Sequence, residues 1–150
     1  MRQAVVNALL SATDVTGIVG TRVYGRQGLI GVISRDTTPE AFDADGRLMP
    51  TISVNLESAV IRGEATTSDT IAATQTLQVW VACAYGYTEI KAALKAVRRV
   101  LHRHTFTPVD DDTIRWSGTR WASTSPELWD EALREPTMFS RFDITYTEPI

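Results

Sequence analysis

The chain has 150 residues, 43% of them hydrophobic and 22% charged, with a net charge of −3. That length suits one domain with a real core, and an acidic balance argues against a dedicated nucleic-acid binder, whose domain is normally basic. A single cysteine, Cys83, excludes an intramolecular disulfide, and no apolar run approaches the ~20 residues of a membrane span.

In chain order, residues 2–12 place Val5, Val6, Leu9 and Leu10 on one helical face, widened by Ala4, Ala8 and Ala12. Asn7 interrupts this stretch and Asp14 follows soon after it, so it does not read as a signal peptide, and the chain is expected to be cytoplasmic when made. Thr13 or Asp14 can cap a second short helix containing Val15, Ile18 and Val19, which Gly20 ends. Segments 21–25 and 28–34 read as short strands. Residues 35–50 form a long polar connection with two prolines, Pro39 and Pro50, and an Asp-Ala-Asp-Gly turn at 43–46, the polar part of a loop or arm bounded by 26 and 50. A connection of that length suggests an interaction arm, and Phe42 is its candidate contact residue.

In Thr51–Ser58, Ile52, Val54 and Leu56 alternate with polar residues, which predicts a strand with one buried face. Residues 62–70 read as a polar loop. In Thr74–Gly86, Leu77, Val79, Val81 and Cys83 share one face, and Trp80 points to the other. Thr88 is the expected N-cap of a helix running to about His104. Its apolar stripe is Ile90, Leu94, Val97 and Leu101; Lys91, Lys95, Arg98, Arg99 and His102 form the opposite stripe. Residues 113–123 predict a strand with a bulge at Gly118. Residues 124–136 suggest a short helical lobe, with Ser125 as cap, Pro126 in the first turn and Pro136 at the end. Residues 137–147 predict the last strand. The expected fold is α+β: a mainly antiparallel sheet of about four strands packed against the long helix and the N-terminal helices, with extended loops.

Catalytic and metal patterns are weak. Cys83 sits on an apolar strand face and reads as a small core residue. His102 and His104 lie two apart on a helix and face different sides, so they cannot share a metal as an i, i+4 pair can. In a calcium-loop frame, Asp43–Gly46 would put Ala41 and Ile52 at ligand positions, so a plain Asp-Gly turn fits better. Asp110–Asp112 reads as a solvated loop. Gly25, Gly28 and Gly31 match no nucleotide-binding spacing. No catalytic residue, metal or cofactor is expected. What stands out is apolar surface among polar neighbours: Trp80, Trp121, Leu128 and Trp129. Each reads as core packing or as a subunit contact.

Four segments carry a resemblance. They are AVVNALLSATDVTGIVGTRVYG (4–25), GRLMPTISVNLES (46–58), TLQVWVACAYGYTEIKAALKAVRRVLH (76–102) and FSRFDITYTEP (139–149). Together they resemble the tail terminator (tail-completion) proteins of long-tailed, non-contractile bacteriophages. The resemblance implies a structural virion protein of the tail or neck, assembled as a homo-oligomeric ring, usually of six subunits. Such a ring would cap the tail tube, end its polymerisation and join it to the head connector, with DNA passing through the lumen unbound. Its partners would be the tail tube protein and a head-completion protein. A ring needs two different complementary surfaces per subunit. The candidate assembly residues are Trp80, Trp121, Leu128, Trp129, Phe42, Lys91, Lys95, Arg98 and Arg99. The basic stripe reads as a solvated face, as a contact with an acidic patch on a neighbouring subunit or the tube, or as a DNA contact. A head-closure protein is the nearest alternative, and a small α+β enzyme or ligand-binding domain is a more distant one.

Overall fold

The computed structural model describes residues 1–26, 33–57, 60–64, 70–106 and 115–149. Elements follow in chain order as α1 (Arg2–Leu10), α2 (Thr13–Val19), β1 (Val23–Arg26), β2 (Thr51–Leu56), β3 (Val60–Glu64), β4 (Thr70–Ala82), α3 (Tyr87–Leu101), β5 (Arg115–Thr124), β6 (Leu128–Asp130) and β7 (Glu135–Pro149). The class is α+β, with seven strands in one sheet among the described residues where about four were expected.

Two long strands form the spine of the sheet. β4 and β7 pair antiparallel along their whole shared length, from Thr70↔Pro149 to Ala82↔Thr137. At ~3.4 Å per residue the pair spans roughly 40 Å. The outer edge of β4 is filled by two segments in succession, β2 against Leu77–Ala82 and β3 against Ile71–Thr74. The outer edge of β7 is filled likewise by β5 and β6. β1 completes one side, and its pairing with β2 is parallel. A parallel pair needs a long crossover, and residues 27–50 supply it.

Hydrophobic alternation decides which face is sealed. Leu77, Val79 and Val81 of β4, Ile52 and Val54 of β2, and Phe142 and Ile144 of β7 are all fully buried under the helices. The helices contribute Val5, Val6 and Leu9, then Val15 and Val19, then Ile90, Leu94, Val97 and Leu101. Cys83 belongs to this core, and burial pushes its thiol pKa up. Gly86 precedes α3 at φ 112°, a conformation that L side chains rarely adopt, so the turn needs glycine there.

Several expectations are corrected. Thr88 lies inside α3, whose N-cap is Gly86 with no side-chain cap bond, and the helix ends at Leu101 rather than His104. Arg103 then turns the chain at φ 67°. Its N–H donates to the Thr119 carbonyl and the Thr119 N–H donates to His104, so the segment leaving α3 runs along the outer edge of β5. Residues 62–64, expected in a loop, lie in β3, an edge strand with a register shift between Ile61 and Gly63. The expected bulge at Gly118 is present, between Trp116 and Thr119. The expected helical lobe at 124–136 is instead the β6–β7 hairpin. Trp129 pairs with Pro136, and the turn is closed by the Leu133 N–H donating to Asp130 Oδ1 at 2.8 Å. Ladder bonds to β7 outweigh the local helical preference of Glu-Leu-Trp-Asp-Glu-Ala-Leu.

The long connection is no free arm where it is described. From Ile33 to Leu48 it folds onto the second face of the sheet, away from the helices. Ile33, Ala41, Leu48 and Ala82 form a small second core, with Tyr24, Phe42, Ala84 and Leu133 around it. Thr51 and Ser53, on that face of β2, are therefore buried too, where one buried face was expected. The Asp-Gly turn forms as expected, with Gly46 at φ 76° and Asp43 Oδ1 accepting from the Asp45 and Arg47 N–H groups. Most of the expected 28–34 strand and all of Asp110–Asp112 lie outside the described residues; Ile33 and Ser34 are not in a strand.

Candidate assembly surfaces

The nine sequence-derived residues separate onto the two sides of the sheet. Six gather on the α3 side. Period 3.6 puts Lys91, Lys95, Arg98 and Arg99 on the exposed stripe of α3, opposite its buried one. β5 brings Trp121 beneath them, and the Arg98 guanidinium lies 4.8 Å from the centre of its ring, a cation–π contact. The Trp121 N–H donates to His102 Nδ1 at 3.1 Å, which ties β5 to the end of the helix. Trp129 pairs with Pro136, two residues before Met138 on β7, and so projects to the same side. It is 54% exposed, more than any other large hydrophobic side chain among the described residues.

This side carries two adjoining hollows that share Arg98. One is lined by Arg98, Arg99, His102 and Trp121. The other has Leu94 and Met138 among its lining residues, with Lys91, Lys95 and Thr124 around them. The result is a groove with apolar lining and cations around it. Not every cation is free. Lys91 Nζ reaches Glu127 Oε1 at 2.7 Å, an exposed pair worth little by itself. Lys95 and Arg99 have no ionic or hydrogen-bonded side-chain partner among the described residues, and no carboxylate occurs between Ile90 and Phe106.

The remaining three point elsewhere. Leu128 shares the register of Thr137 and turns to the second face, while its carbonyl accepts from the Tyr87 hydroxyl. Trp80 is half-buried on the second face, stacked on Phe139 with centroids 4.4 Å apart, and its Nε1 donates to Gln78 Oε1 at 3.1 Å. Phe42 lies under the Arg35 guanidinium at 5.5 Å, inside the folded connection. Trp80 lines a cavity of about 250 Å³ between the sheet, the start of the connection and the β6–β7 turn. Arg26 and Asp130 are the charged residues of that lining, and it contains no histidine or cysteine.

The second face also carries an acidic lobe that the sequence reading did not single out. Residues 35–47 hold Asp36, Glu40, Asp43 and Asp45 against Arg35 and Arg47. Arg35 lies over Phe42 and donates to the Gly46 carbonyl; Arg47 lies over Tyr85 at 4.8 Å. Tyr85 is 43% exposed, and its hydroxyl donates to Asp43 Oδ2 at 2.6 Å. That bond holds the Asp43 carboxyl below its ordinary range and raises the Tyr85 phenol. Tyr24 donates to Glu40 Oε1 at 2.7 Å; burial first, then this bond, pushes its pKa up to about 12, and the same bond lowers that of Glu40. Asp36 and Asp45 project their carboxylates into solvent. Tyr85 had a legible signal, an aromatic inside the Tyr-Gly-Tyr turn.

Among the described residues, no group of three or more His, Cys, Asp or Glu could hold a metal ion, and no helix is long and apolar enough to cross a membrane. No protein-family profile and no curated protein sequence matches the chain. A solved structure does. The fold matches a chain of the "Virion of native gene transfer agent (GTA) particle" with TM-score 0.74 and 18% sequence identity, over 98% of this chain and 94% of that one. The two chains therefore share one fold along nearly their full lengths.

Proposed function

We propose that this chain is a structural virion protein, a ring-forming tail terminator of a long-tailed phage-like particle. In this reading about six copies cap the finished tail tube, stop its growth and present a seat for the head connector, and DNA passes through the lumen without specific binding. The observation that carries the reading is the end-to-end fold match to a chain from a virion particle. Two exposed surfaces of different character on opposite sides of the sheet add to it, because head-to-tail ring contacts need two unlike, complementary patches on every subunit.

No catalytic step belongs to this reading. Cys83 is buried in the core and its thiol is pushed away from ionisation, so it is no nucleophile. The test is electron microscopy of particles from a phage with this gene deleted. Overlong tails beside full, unattached heads are expected. Normal-length tails beside leaking or empty heads would overturn the terminator role in favour of head closure.

A further inference from the structure

The two candidate surfaces differ in sign as well as position. The α3 side offers Lys95, Arg98 and Arg99 around a groove lined by Leu94, Met138 and Trp121. The lobe on the second face offers four carboxylates against two guanidiniums, and both guanidiniums lie over aromatic rings of the same lobe. Tyr85 stands exposed among these charges. The hydrogen bonds from Tyr85 and Tyr24 keep Asp43 and Glu40 in their ionised forms. One molecule thus carries a cationic, aromatic groove on one side of its sheet and an anionic lobe with an aromatic anchor on the other.

From this arrangement we infer that the acidic lobe of one copy, residues 35–47 with Tyr85, docks onto the basic α3 face of the next copy. The inference rests on the ring reading above and names the two surfaces that meet. Because they lie on opposite sides of the sheet, the contact is heterologous and propagates from copy to copy, as a ring requires; a twofold pair would use one patch against itself. Aromatic residues inside a charged rim match the usual anatomy of an interface, where Trp, Tyr and Arg carry most of the binding. Charge complementarity sets the partner and the orientation. The Lys91–Glu127 pair stays within its own chain and leaves Lys95, Arg98 and Arg99 for the neighbour.

The experiment is sedimentation velocity of the full-length chain across a concentration series, in roughly 0.05 M and 0.5 M salt, a range over which screening of such contacts rises steeply. The wild type is expected to self-associate more strongly in low salt. Lys95→Glu/Arg99→Glu and Asp36→Lys/Asp45→Lys are each expected to weaken association about thirty-fold or more, the scale of an interface hot spot. All four positions are exposed, so circular dichroism should report unchanged folds. Mixing the two variants in equal amounts is expected to restore association to within about ten-fold of wild type, since every contact in an alternating assembly again joins opposite charges. Association of either variant at wild-type strength, a mixture that stays dissociated, or a wild type that is monomeric at every concentration would each overturn the pairing. These results are separable from failure of the ring reading itself, which would appear as absence of the chain from purified tails.

Discussion

On the α3 side of the sheet, Leu77, Val79, Val81, Phe142 and Ile144 are sealed beneath three helices. On the other side, the same two long strands present Gln78, Trp80, Phe139 and Arg141, and the folded connection packs at the end near Ala82. The contrast teaches where stability lies and where it does not. One face carries the main core; the other carries a four-residue core and a lobe whose polar groups are largely satisfied within itself. The outer surface of α3 and the outer surface of that lobe are then both left for contact, one basic and one acidic.

The largest expected effect falls on the sealed face. Phe142→Ala should cost about 3–5 kcal/mol, as expected for emptying a fully buried aromatic site. Phe139→Ala, three residues earlier on the open face, should cost about 1–2 kcal/mol, mainly its stacking on Trp80. Denaturant unfolding of the two variants breaks the comparison if the costs are equal or reversed. A smaller effect concerns pH. The folded pKa of Tyr24, about 12, lies above its ordinary value of 10, so its stabilising contribution is present below about pH 10 and is lost as pH rises toward 12. Tyr24→Phe should flatten that alkaline decline; parallel declines of wild type and variant in unfolding measured between about pH 9 and 11 would contradict this. Smallest is Glu127→Gln, which breaks the exposed pair with Lys91. It should change stability by less than about 0.5 kcal/mol and leave self-association intact, sharpening the division between cations used within the chain and cations left for a neighbour.

The sequence revealed those parts whose pattern is local. α3 was legible because its apolar and basic stripes repeat every 3.6 residues, and β2, β4 and β7 because buried residues alternate. The side on which Trp80 falls followed from the same alternation. What was missed depends on distant partners. Parallel pairing of β1 with β2 leaves no trace in either segment. The 128–130 stretch has helical local preference but lies against β7. Ile33, Ala41 and Leu48 share no period, so the small second core they build with Ala82 was invisible, and the connection read as an arm. Arg98 and Trp121 are far apart in sequence and meet only through the packing of α3 beside β5.

The most direct test of this account is a cryo-EM reconstruction of the head-proximal end of the tail. The account predicts a closed ring of copies of this chain in which the α3 face of each, at Lys95, Arg98 and Arg99, meets the 35–47 lobe of its neighbour. Copies related by twofold axes, or a ring whose α3 faces turn away from every neighbouring copy, would contradict it.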